Sequence, residues 1–290
     1  MFDPNWVIKT YVEYGEIIFD ILTVHREAYE NTPQQVDFIV SLLRKYHPDA
    51  VEVLDVPCGD GRISLGFLER GYRVTGMDIS PSYIRIASEK GQKHPGSRFL
   101  VGDMREMNLS RKFDVVINWF SSFGYFDEAT NQRVLENFID HLKEGGVLIL
   151  DILNRDHYIQ KMAAVIYEWR PEILVRTRKG NFSLRYSFDP YTSRLTVEVK
   201  GENLSEPLYY SMRLYSLHEL IKMLKSRNME VLEVYGDYSG SKYRLFSPRI
   251  IIVARKKYHR DDEEKAPPLR DEETPTVRVP KVLKSGCAST

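Results

Sequence analysis

The stretch from Val51 to Ser80, VEVLDVPCGDGRISLGFLERGYRVTGMDIS, constrains the fold more than any other part of the chain. Val51, Val53 and Leu54 form a short apolar run of the kind that fills a parallel strand, and Pro57-Cys58-Gly59-Asp60-Gly61 interrupts it abruptly. Helical spacing follows, with Ile63, Leu65, Phe67 and Leu68 giving one apolar face and Gly71 ending it. Tyr72 to Met77 then resumes a strand that stops at Asp78. Strand, glycine turn, helix and strand make half of a doubly wound nucleotide-binding unit. Glycines allow close backbone approach, a helix N-terminus offers free N–H donors, and an acid ending the next strand takes a ribose diol in two hydrogen bonds.

Spacing narrows the nucleotide. A dinucleotide site uses G-x-G-x-x-G, so that the helix starts against a pyrophosphate and packs closely on the strand. Gly59-x-Gly61 is instead followed by Arg62, Ile63 and Ser64, and the third glycine is missing. The pattern resembles the acid-x-G-x-G-x-G of motif I in class I S-adenosylmethionine (SAM) methyltransferases, with Asp55 as the acid and Pro57 in the first glycine position. Pro57 removes a donor and fixes φ, so the first turn departs from the consensus. The series continues in order. Gly102-Asp103-Met104-Arg105 follows the apolar run Phe99 to Val101, Phe113-Asp114-Val115-Val116-Ile117-Asn118 reads as a fourth strand, and Gly145-Gly146 closes an amphipathic helix before the strand Val147 to Leu150.

The resemblance implies an α/β, doubly wound Rossmann-like sheet with helices on both faces, binding SAM and releasing S-adenosylhomocysteine (SAH). By it, Asp55, Pro57, Cys58, Gly59, Gly61 and Arg62 surround the cofactor at the glycine turn, and Asp78, with Ile79 beside it, takes the ribose. Asp103 accepts from the adenine amino group, while Met104 and Arg105 follow it, the thioether packing on the ring. Asn118 and Trp119 lie beyond the fourth strand, where ligands of open α/β sheets bind. A segment before the first strand closes over SAM in small-molecule members, which by the resemblance brings Tyr14 or Tyr29 to the methionine part or to the substrate. The wording Phe-Ser-Ser-Phe-Gly-Tyr most resembles the branch that dimethylates amino groups on nucleotide-linked sugars, and more loosely the glycine N-methyltransferases. In that branch the residue after the loop glycine, here Tyr125, faces the acceptor. Asp151, His157 or Tyr125 would accept or relay a proton from the attacking amine.

Composition bounds the rest. The chain has 290 residues, enough for one large α/β core with an added subdomain. Lys plus Arg and Asp plus Glu both number 41, so no overall field draws in nucleic acid or an anionic membrane. Two cysteines, Cys58 and Cys287, make no disulfide framework, and no histidine stands at metal-ligand spacing with another His or Cys. A reducing cytoplasm is the expected compartment. Ile17 to Val24 is short and interrupted by Asp20, and the start lacks a basic n-region, so neither export nor a membrane span is expected.

Four regions are expected. Residues 1–46 form an N-terminal helical cap, in which Thr32-Pro33-Gln34-Gln35 reads as a capping box with Pro at the first helical position. Residues 47–158 and 216–256 form the SAM-binding core, including a helix from Asp127 to Glu144, a helix from Leu217 to Asn228 N-capped by Ser216, and a closing hairpin. Ser80-Pro81 starts a helix with Gly91 as its C′ residue. Residues 159–215 alternate in four segments separated by turns and read as an antiparallel insertion that shapes the acceptor pocket or a homodimer contact. Between Glu168 and Lys200, seven Lys plus Arg face four Asp plus Glu, a solvated face rather than an RNA track. Residues 257–290 are charged and Pro-rich and are expected to be disordered.

The expected reaction is in-line methyl transfer to a small-molecule acceptor, most simply a neutral amine, without a covalent enzyme intermediate or a metal. The competing readings are an RNA or protein methyltransferase on the same core, and a SAM-binding module without catalysis.

Overall fold

The computed structural model describes residues 6–21, 30–167, 172–177 and 179–258. Met1–Lys257 form one compact unit. Tyr29 and, apart from Lys257 and Tyr258, the tail expected to be disordered lie outside the described residues.

Five parallel strands carry the core: β1 (Glu52–Asp55), β2 (Arg73–Asp78), β3 (Ser97–Val101), β4 (Phe113–Asn118) and β5 (Leu142–Leu153). The antiparallel strands β10 (Met229–Tyr235) and β11 (Arg249–Lys256) complete a seven-stranded sheet in the order β10-β11-β5-β4-β1-β2-β3. Asp55 pairs with Gly76 and Ile117, and Asp78 with Val101, so the chemistry-bearing ends of neighbouring strands finish level.

Period-two alternation divides the core into two faces. Val53, Val115, Ile117, Val147 and Ile149 share one apolar cluster with α2 (Thr32–Tyr46) and α3 (Arg62–Glu69). Leu54, Val116, Leu148 and Leu150 point the other way, toward α5 (Glu128–Asp140) and α7 (Leu217–Lys225). The apolar stripe along α5, Val134, Leu135, Phe138 and Ile139, is buried as its spacing requires. The helix α4 (Pro81–Gly91) covers β2 and β3.

A second, antiparallel sheet is built from β6 (Glu172–Thr177), β7 (Gly180–Asp189), β8 (Arg194–Gly201) and β9 (Leu208–Arg213) in sequence order. Leu184, Leu195, Val197 and Leu208 on its inner face belong to the same cluster as Leu54 and Val116. Across this sheet lie a π-helical turn (Ile8–Glu13) and α1 (Gly15–Ile21). Thr10 Oγ1 donates to the Tyr209 carbonyl at 2.7 Å, and the Tyr83 hydroxyl donates to the Gly15 carbonyl at 2.8 Å.

Several local expectations are corrected. The capping box at Thr32 does not form: Asn31 is the N-cap, and the Thr32 hydroxyl and Gln35 Oε1 instead accept from Arg62 Nη1 at 3.2 and 3.0 Å. The box does form at Ser216, with Glu219 as its partner. Helix α4 runs through Gly91 to a cap at Gln92, so Gly91 is not its C′ residue. α5 stops at Asp140, because β5 pairs with β4 from Leu142 onward and the register shift between Phe113 and Val115 draws Lys143 to Gly146 into the strand. α7 ends at Lys225. The residues expected to open the β insertion continue a helix, α6 (Arg155–Tyr167), whose start is fixed by Asn154 Oδ1 accepting from the Asp156 N–H at 3.2 Å.

One glycine joins the two sheets. Gly124 sits at φ +107, its carbonyl accepts from the Arg213 N–H at 2.7 Å, and a Cβ there would lie 2.5 Å from the Arg213 carbonyl oxygen. Gly124→Ala should cost about 2–3 kcal/mol and lower Tm by roughly 5–10 °C, through left-handed strain plus a backbone clash. Gly71→Ala, at φ +86 with nothing within 4 Å, should cost about 1–2 kcal/mol in the same thermal scan.

Candidate active site

A cavity of roughly 470 Å³ lies beyond the carboxyl ends of β1, β2 and β4, roofed by the second sheet and the N-terminal turn. Its size is that of a small-molecule site. Asp55, Pro57, Cys58, Gly59, Arg62 and Asp78 line it, as do Ile79, Asp103, Met104, Trp119, Tyr125 and His157. Five other residues singled out in the sequence do not. Gly61 caps α3 at φ +84 against Ala87, Asn118 donates from Nδ2 to the Val56 carbonyl at 2.8 Å, and Tyr14 bonds Ser205 at 3.3 Å. Arg105 grips both oxygens of Asp103 and lies 4.9 Å over the Phe126 ring. Asp151 is the fifth.

The carboxylates that line the cavity come from the ends of β1 to β3 and the glycine turn. Asp55 Oδ2 accepts from Ser64 Oγ at 2.6 Å; Asp60 pairs with Lys90 at 2.6 Å. Asp78 accepts from the Gly59 N–H and the Ser80 N–H, each at 2.9 Å, and so ties the glycine turn to the start of α4. Burial raises Asp55 to about 7, against the pull of Ser64 and Arg62, and raises Asp78 to about 6, against its backbone donors.

At the end of β4 the backbone takes an unusual path. Phe120 and Ser121 are both left-handed, at φ 66 and 68, without being glycine. Asp151 holds them: its Oδ2 accepts from the Phe120 N–H at 2.9 Å and from the Tyr238 hydroxyl at 2.9 Å, and its backbone carbonyl accepts from the Ser121 N–H at 3.0 Å. Arg249 pairs with Asp151 Oδ1 at 2.5 Å and donates to Ser121 Oγ at 2.5 Å. Burial alone would lower the Arg249 guanidinium, but Asp151 beside it holds it above its ordinary value. Asp151 is fully buried and spent on this turn, and the expected proton-accepting role gives way to a structural one. Phe120, Ser121 and Ser122, which open the Phe-Ser-Ser-Phe-Gly-Tyr run, reach the cavity together with Arg249, and of these Arg249 is the one that no motif marked.

The remaining wall is aromatic and apolar. The Tyr125 ring stacks on Tyr11 at 5.8 Å, with their hydroxyls 3.0 Å apart, and meets Tyr210 edge-on at 5.7 Å. Burial pushes the hydroxyls of Tyr11, Tyr125 and Tyr210 up from their ordinary values. Tyr210 was not expected in the site; in sequence it is one aromatic within an alternating strand.

The arrangement fits SAM. A Cβ added at Gly59 would meet nothing within 4 Å, so the turn leaves open space above its backbone. Asp78 keeps lone-pair capacity beyond its backbone donors, and Met104, beside Asp103, offers an apolar surface to a ring. Residues 53–146 match the methyltransferase domain family. With its SAM-dependent relatives and the shared fold, that match makes the protein a SAM-dependent methyltransferase. The methyltransferase is 25% identical over 228 residues to a protein of Geobacillus sp. (strain WCH70) provisionally named a methyltransferase, covering 76% of this chain and 90% of that one. It is 32% identical over 114 residues to a dTDP-3-amino-3,4,6-trideoxy-alpha-D-glucopyranose N,N-dimethyltransferase of Streptomyces venezuelae, covering 39% of this chain and 47% of the relative. The fold is shared with a SAM-dependent methyltransferase from Clostridium acetobutylicum ATCC 824, at a TM-score of 0.69 and 20% identity over 85% of this chain and 99% of that one. Among the described residues, no helix is long and apolar enough to cross a membrane.

The two raised carboxyls predict a pH dependence. Their folded values lie above the unfolded value near 4, so the folded chain binds more protons between about pH 4 and 7. Their contribution is complete below that window and is lost as pH rises through it. The ligand-free methyltransferase should therefore show a Tm that falls from pH 5 to pH 8 at constant ionic strength, and Asp55→Asn should flatten the fall.

Proposed function

We propose that the methyltransferase transfers the SAM methyl group to the nitrogen of a small-molecule amine. The observation that carries this reading is the division of titratable groups in the cavity. Every carboxylate that lines it belongs to the β1 to β3 ends and the glycine turn, while the opposite wall supplies hydroxyls that burial keeps protonated. Such a wall holds a neutral nucleophile and is poorly equipped to create an anionic one. The likeness to an amino-sugar N,N-dimethyltransferase supports the same choice.

When bound, SAM supplies an electrophilic methyl group on a sulfonium. Asp78 and Asp103 hold the adenosyl part in this reading, and the turn at Gly59 lets the backbone approach it. Arg62, anchored to Thr32 and Gln35, stands beside the glycine turn, where it suits a carboxylate. The Tyr125 oxygen accepts an N–H from the acceptor and aims the nitrogen lone pair, with Tyr11 fixing the hydroxyl. His157 takes the proton released after transfer. The sheet and the N-terminal turn exclude water, and positioning of this kind can supply ~7–11 kcal/mol.

Two measurements test this. SAH titration should show Asp78→Ala weakening binding about tenfold or more, through loss of charge-assisted hydrogen bonds worth ~1.5–3 kcal/mol each; unchanged affinity would remove Asp78 from the site. SAH release should be seen with small primary and secondary amines and not with phenols or bulk RNA. With such an amine, Tyr125→Phe should lower kcat/KM about tenfold and leave SAH binding intact.

A further inference from the structure

The second sheet turns one face into the cavity, and that face is largely apolar, with an aliphatic patch beside Tyr186 and Tyr210. Leu184 on β7 pairs with Val199 on β8, and Tyr186 pairs with Val197, so these four side chains stand together on one side of the sheet. All four line the cavity, with Leu195 beside them and Val7 and Ile18 facing them from the N-terminal segment. The Tyr11, Tyr125 and Tyr210 hydroxyls sit where this wall meets the carboxylate half, Tyr210 being the β9 partner of Val197.

The charged groups at hand are mostly committed. Arg249 is taken by Asp151 and Ser121, and Arg62 by Thr32 and Gln35. His157 Nδ1 lies 3.0 Å from the Phe246 carbonyl, and Lys161 is exposed at the rim. A sugar ring or a phosphate placed against Leu184, Val197 and Val199 would turn several polar groups toward side chains that cannot bond them. An aliphatic or aromatic group there loses nothing and gains burial.

We infer that the acceptor carries its nucleophile on an apolar body, a hydrocarbon chain or ring, which lies against Leu184, Val197 and Val199 while the nitrogen meets Tyr125. The inference rests on the N-methylation reading for its nitrogen alone. The apolar body is read from the wall.

The test is a homologous series, propylamine to octylamine with benzylamine, against glucosamine as a polyhydroxylated amine. Binding to the SAH complex by calorimetry and kcat/KM with SAM are both read. Ammonium acidity hardly changes along the alkyl series, so differences report the body. Each added methylene should strengthen binding and raise kcat/KM about fourfold, the equivalent of ~0.8 kcal/mol, until the wall is covered. Glucosamine should fall below hexylamine by two orders of magnitude or more. Val197→Thr, nearly isosteric, should weaken the longer amines several-fold and leave the SAH dissociation constant unchanged. A flat series, or a preference for glucosamine, overturns the inference and leaves N-methylation standing. A methylene increment appearing only with the matching alcohols or phenols supports the apolar body and removes the amine. No transfer to any member and no binding overturns both.

Discussion

The site depends on one ion pair. Asp151 ends the last parallel strand, Arg249 begins the antiparallel strand beside it, and the two meet with the Asp151 side chain wholly out of solvent. Removing one partner of such a pair leaves a charge stranded in the interior, at a cost of about 3–5 kcal/mol. Here the pair also satisfies the backbone of two consecutive left-handed residues, Phe120 and Ser121, each of which carries strain on the order of 1–3 kcal/mol. The turn they make sends the chain from β4 across to the second sheet. Tyr125 reaches its position because that turn is held.

Parallel and antiparallel sheets contribute different chemistry. The parallel strands end together, bringing acids from separate parts of the sequence to one edge, as open α/β sheets do. The antiparallel sheet offers a side-chain face rather than strand ends, and alternation makes that face largely apolar. A cavity between them is polar at one end and oily at the other. Such a shape suits a charged cofactor at one end and the proposed acceptor at the other.

Much of this was legible from residue order. The strand–turn–helix–strand at Val51 to Ser80, the acids at 55, 78 and 103 and the four alternating segments of the second sheet depend on local pattern, and local pattern is what a sequence displays. What stayed hidden depends on partners distant in the chain. Thr32 and Gln35 have capping-box spacing, yet Arg62 claims both side chains, and nothing near residue 32 announces it. Asp151 reads as a free acid at a ligand-facing edge until Arg249 and Tyr238, about ninety residues on, are seen to occupy it. Tyr14 was one of several tyrosines before the first strand, and only the packing shows that Tyr11 is the one that reaches Tyr125. The helix that Asn154 opens was hidden for another reason: the alternating pattern downstream reads as strand.

The alternation of β7 and β8 carries a consequence for how such enzymes diverge. Leu184, Val197 and Val199 line the cavity from the second sheet while the carboxylates reach it from the parallel strand ends, and the strands of the second sheet gain cohesion from backbone pairing that is indifferent to side-chain identity. Drift at these positions can therefore recast which molecules are accepted while the adenosyl end stays as it was. A lineage built on this plan can explore new chemistry one inward-facing residue at a time, without passing through ancestors that have lost their cofactor.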